Sequence, residues 1–75
     1  MKISQAQKKV IELMQQGWLI HWYGGLTVAC VLQKGGETEP VTSGTVMALR
    51  TLDMVIELPR FEQQLYNLTR YGLKS

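Results

Sequence analysis

The sequence predicts one α+β domain over residues 1–75, with elements in the order α-β-β-α-β-β and a short C-terminal helical turn. Three observations point to it. A helix-capping signature opens an amphipathic stripe at residues 4–16. The stretch 18–33 contains no Lys, Arg, Asp or Glu and is divided by Gly24-Gly25. A second cappable stripe at 42–52 then leads into two short apolar runs separated by a polar loop.

Size and composition bound the function classes. Seventy-five residues lie near the lower limit at which one hydrophobic core suffices. The 45% apolar and 19% charged residues are those of an ordinary globular chain. The run from Trp18 to Leu32 is broken by His21, Gly24, Gly25 and Thr27 and falls short of the ~20 apolar residues of a membrane span. The opening Met1-Lys2-Ile3-Ser4-Gln5 has no apolar signal core, so a soluble, cytoplasmic protein is expected. A single cysteine cannot close an internal disulfide, and one Cys with one His cannot form a four-ligand zinc site. No metal, cofactor or membrane partner is expected. The net charge of +2 permits nucleic-acid contact without demanding it.

The elements follow in order. Ser4-Gln5-Ala6-Gln7 has the form of a capping box, in which the Ser4 hydroxyl and the Gln7 amide satisfy backbone N–H groups that a helix start leaves free. Ala6, Val10, Leu13 and Met14 draw the apolar stripe, and Gly17 suits the left-handed terminator. Gly24-Gly25 reads as the two-residue turn of a hairpin. That register pairs Tyr23 with Leu26, His21 with Val28 and Leu19 with Cys30 on one face, and Trp22 with Thr27, Ile20 with Ala29 and Trp18 with Val31 on the other. Lys34 to Pro40 reads as a turn-rich connector. Thr42 or Ser43 can cap a second helix reaching Leu52, with Thr45, Ala48, Leu49 and Leu52 inward, Ser43, Met47, Arg50 and Thr51 outward, and Val46 at the margin. Met54–Leu58 and Gln64–Leu68 read as a second hairpin around Pro59–Gln63, and Thr69 as the cap of a last turn ended by Gly72.

Helix, hairpin, helix, hairpin is the order of a winged helix-turn-helix in which an early hairpin replaces the usual second helix. Tyr66-Asn67-Leu68-Thr69-Arg70-Tyr71-Gly72 resembles the Tyr-x-Leu-Thr-x-x-Gly ending of bacterial winged-helix proteins. Over nearly its whole length the chain also resembles the YjhX-like family of bacterial toxins, at Ile3, Ser4, Leu13, Gly17, Ile20, Val28, Thr45, Val55, Ile56, Tyr66, Leu68 and Gly72. It departs from that plan in a shorter junction at Leu52-Asp53-Met54 and a second helix poorer in lysine. The resemblance implies a protein-binding inhibitor or toxin acting on a DNA-processing enzyme.

Few residues suggest catalysis. Cys30 and His21 share a face in the register above, but both lie in an apolar strand without an orienting acid, so a small core cysteine is the simpler reading and no enzyme is expected. Neither Gly-Gly pair forms a phosphate-binding fingerprint. A winged helix would read double-stranded DNA with Thr42, Ser43, Met47, Arg50 and Thr51 of the second helix, Arg60 at the wing, and Lys8, Lys9 and Arg70 on phosphates. The same polar residues would also serve merely to cap and solvate that helix. Trp18 and Trp22 lack the interleaved cations of a single-strand stacking groove. With Ile20 and Val31 they read instead as core or as the interface of a twofold homodimer. The leading expectation is a small DNA-binding or transcription-associated regulator, with the protein-binding inhibitor and a structural dimerisation module as the other readings.

Overall fold

The computed structural model describes residues 3–74; Met1 and Lys2 of the opening segment and Ser75 of the expected tail lie outside the described residues. The chain forms α1 (Gln5–Gln15), β1 (Leu19–Tyr23), β2 (Ala29–Lys34), β3 (Glu37–Pro40), α2 (Ser43–Thr51), β4 (Val55–Glu57) and β5 (Leu68–Leu73). It is an α+β domain with one antiparallel sheet in the order β3-β2-β1-β5-β4. The observed order α-β-β-β-α-β-β corrects the expected winged-helix order, and three strands separate the two helices.

Both helices form where local chemistry places them. Ser4 caps α1 through the reciprocal box: its Oγ accepts from the Gln7 N–H, and the Ser4 N–H donates to Gln7 Oε1, each at 3.1 Å. Gly17, at φ 105°, ends α1 by donating to Met14 O while Trp18 N–H reaches Leu13 O. The end of α2 repeats this pairing without a glycine. Asp53 takes the left-handed conformation, at φ 60°, and donates to Arg50 O, while Met54 N–H reaches Leu49 O.

The first hairpin has a different register. Ile20 pairs with Leu32, His21 with Val31, Trp22 with Cys30 and Tyr23 with Ala29, so the turn is the five residues 24–28. The two-residue Gly-Gly turn lies at Gly35-Gly36, where Lys34 pairs with Glu37 and Gly35 supplies φ 58°. The supposed connector is therefore a third strand. The pairing differs from the expected one by three residues, and an odd slip exchanges the faces of one strand relative to the other. Cys30 and Leu32 thereby join Ile20 and Trp22 against the helices, while Val31 turns to the opposite face with His21.

The second correction lies at the C-terminus. Thr69 to Gly72 does not form a helical turn but belongs to β5, a central strand hydrogen-bonded to β1 on one side and β4 on the other. Without it β1 would present a free edge beside Ile20, which is fully buried.

One side of the sheet carries the core. Trp18, Ile20, Cys30, Leu32, Val55 and Tyr71 pack with Val10 and Met14 of α1 and Val46 and Leu49 of α2. Val46, expected at the helix margin, is fully buried. The other side shows Leu19, His21, Tyr23, Val31, Leu68, Arg70 and Gly72, and among the described residues no helix covers it.

Candidate interaction surface

The β4–β5 connection, residues 58–67, does not project as a wing. It folds back as a strap over β5 on the open face. Leu58 lies over Gly72, where an added Cβ would meet Leu58 Cδ2 at 3.2 Å. Three side chains pin the strap. Arg60 donates to the carbonyls of Leu65 and Leu68. Gln64 donates to Leu68 O at 2.7 Å and accepts through Oε1 from Phe61 N–H and from Arg70 Nε. Arg70 donates through Nη2 to Pro59 O at 2.7 Å, and its guanidinium lies 4.0 Å from the Phe61 ring centroid.

The end of the strap meets the β1–β2 turn. Gly24 N–H donates to Asn67 O and Asn67 Nδ2 donates to Gly24 O, both at 2.9 Å, which joins residues 43 positions apart. Because Tyr23 pairs with Leu68, both loops leave the same end of the sheet. This end exposes Leu26 at 108% and Tyr66 at 93% of their reference areas, together with Val28, Leu65 and Phe61. Nothing charged lies in 24–28 or 63–67. Large apolar side chains presented together at full exposure are unusual on an isolated domain and mark contact surfaces.

The residues expected to read DNA separate into two groups. Ser43, Met47, Arg50 and Thr51 lie exposed on the outer face of α2. Thr42 is occupied as the helix cap, its Oγ1 accepting from Thr45 N–H at 3.2 Å. Arg50 rests 5.4 Å from the Tyr71 ring centroid, and Thr51 Oγ1 donates to Met47 O. Lys8 and Lys9 are exposed on α1, and Lys9 borders a groove whose opposite rim carries Glu39. Arg60, expected at the wing, and Arg70, expected as a phosphate contact, instead donate to the carbonyls of Leu65 and Leu68 and of Pro59.

The expected interface set is also divided. Trp18 and Ile20 are buried beneath the helices, Trp22 packs against the same core, and Val31 is half-buried on the opposite face, so the four make no common surface. The Cys30–His21 pairing disappears for the same reason. Burial pushes the Cys30 thiol pKa up, as a core cysteine requires, and the strand separates it from the imidazole. The His21 pKa is pushed below its ordinary value by burial and then by the Arg70 guanidinium, and its Nδ1 is buried with no hydrogen-bond partner among the described residues.

The exposed loop end and the strap were not legible in the sequence. Their only local signal was Phe61 beside Arg60; Leu26 and Tyr66 looked like strand residues. Among the described residues no cluster of His, Cys, Asp or Glu is arranged to hold a metal, and no helix is long and apolar enough to cross a membrane. No protein-family model, curated protein or solved structure matches the chain.

Proposed function

We propose that this protein acts by binding another protein through the loop end of its sheet, as an inhibitor or regulator without catalytic activity of its own. The observation that carries this reading is the full exposure of Leu26 and Tyr66 in two loops locked together by the Gly24–Asn67 pair. Docking would remove the whole apolar area of these two side chains from water on a backbone that the Gly24–Asn67 pair already holds, and a few such residues can dominate a binding energy. The resemblance to YjhX-like toxins is consistent with this. The same surface, rather than Trp18 and Ile20, is where a homodimer would form.

A second reading keeps DNA as the partner and rests on the open outer face of α2, where Arg50 is the exposed cation. It is the weaker one. Arg60 and Arg70 already serve backbone carbonyls, Lys74 pairs with Asp53, and Glu37 and Glu39 lie on the strand that leads into α2.

Two measurements decide between them. Capture from nuclease-treated bacterial lysate should retain a protein partner with the natural chain and lose it with Leu26→Ser/Tyr66→Ser, a change of about 2 kcal/mol or more. Duplex binding that collapses with salt, weakens in Arg50→Ala and ignores the loop-end substitutions would overturn the proposal.

A further inference from the structure

Between the strap and the open sheet face lies a cleft of about 660 Å³ lined by side chains from both. This volume is of the size that small-molecule sites have. Leu68, His21 and Arg70 of the sheet form its floor, and Phe61, Gln64 and Leu65 form its wall.

Arg70 sets the chemistry. Its Nε is held by Gln64, its Nη2 by Pro59 O, and its face by Phe61, so the guanidinium is positioned from three sides. Nη1 has no hydrogen-bond partner among the described residues. A guanidinium held in this way presents Nη1 as a charged donor to a carboxylate and gives up little freedom when one arrives. Glu62, the acidic residue of the cleft, makes no ion pair with it among the described residues. The neighbouring imidazole of His21 is kept neutral at pH 7 by burial and by Arg70, which leaves Arg70 as the cleft's cation. Phe61, Leu65 and Leu68 supply an apolar wall beside that charge.

We propose that this cleft binds a small monocarboxylate with an aromatic or branched apolar body, the carboxylate on Arg70 and the body against Phe61, Leu65 and Leu68. The cleft shares Phe61 and Leu65 with the loop-end surface but does not include its anchors Leu26 and Tyr66, so its test stands or falls without the docking reading. It adds a ligand by which the position of the strap, and hence of Leu65 and Tyr66, is coupled to a metabolite.

The chain's single histidine makes the test direct, because His21 Hε1 is the only histidine Hε1 resonance in a proton NMR spectrum. Benzoate is the probe, and benzyl alcohol, with the same ring and no charge, is its control. Benzoate should move the His21 resonance saturably and raise the His21 pKa, since an anion beside Arg70 offsets the smaller of the two causes that hold it down, the Arg70 repulsion, while burial persists. Benzyl alcohol should bind the natural chain, and benzoate the Arg70→Gln variant, about tenfold more weakly or worse, and benzoate on Arg70→Lys, which keeps the charge but not the planar guanidinium held by Gln64, Pro59 and Phe61, should fall between. The benzoate-to-benzyl alcohol ratio uses only the natural chain, so it decides the matter even where Arg70→Gln does not fold. The proposal is overturned by the absence of a saturable benzoate shift, by equal binding of benzyl alcohol, or by an equal response to inorganic phosphate, which would mean an anion site with no use for the apolar wall.

Discussion

The two faces of the sheet use the same five strands but are held by different kinds of contact. On the helix side, Ile20 and Leu32 are sealed by Val46 and Leu49, and the contacts are those of close-packed hydrocarbon. On the open side, Arg60, Gln64, Asn67 and Arg70 hold a strap of irregular backbone by donating to carbonyls of the strap itself, of Leu68 and of Gly24. The difference separates what specifies the fold from what is free to act. The first face supplies most of the stability through area removed from water. The second supplies position, fixing where Phe61, Leu65 and Tyr66 stand.

The largest test of that division is a pair of truncations on adjacent strands. Ile20→Ala, on the covered face, should lower the unfolding free energy by about 2–5 kcal/mol, because it leaves a cavity beneath two helices. Val31→Ala, half-buried on the open face, should cost about 1 kcal/mol or less. Urea titrations of both variants measure this, and equal losses would show that the open face is as tightly packed as the other.

Removing a strap pin comes next. Arg60, expected at the wing, is one of these pins. Holding two backbone carbonyls, it should cost about 1–2 kcal/mol when changed to alanine, with faster hydrogen exchange confined to the strap and to Leu68. Asn67→Ala removes the side-chain half of the Gly24 pairing and should cost about 1 kcal/mol. It should weaken partner capture more than its stability loss accounts for, because it releases Leu26 from Tyr66.

The contrast between the faces is also a contrast in legibility. The helices were readable because their signals are local: the Ser4–Gln7 box, the Thr42 cap and the terminator at Gly17 each lie within one turn of the element they bound. The hairpin register was not, because two Gly-Gly pairs offer the same local turn chemistry. What selects Gly35-Gly36 is the remote demand that Ile20, Cys30 and Leu32 face the helices together. β5 was misread for a similar reason. Thr69 and Gly72 resemble a cap and a terminator, but β1 needs a strand on its second edge. The strap left no periodic pattern at all, since its bonds join Arg60 to residues five and eight positions on and Asn67 to one 43 positions back.

The smallest effect should be a pH dependence that belongs to the open face alone. His21 faces Val31 across β2 and Arg70 across β5, has Leu19 and Tyr23 beside it on its own strand face, and shares the cleft with Glu62 from the strap. Burial first, and Arg70 second, hold its pKa below the ordinary value of 6.5. The fold therefore favours the neutral ring, and just below pH 6.5 the unfolded chain binds the extra proton more readily than the folded one. This contribution to stability is present above 6.5 and is lost as the pH falls through that value and then through the lower folded one. Urea midpoints taken on either side of 6.5 should drop on the acid side in the natural chain and drop less in His21→Gln, which carries no charge at either pH. A midpoint that instead rises on acidification would mean that Glu62 closes onto the imidazolium and outweighs Arg70, making the open face a site that welcomes a second positive charge rather than one that excludes it.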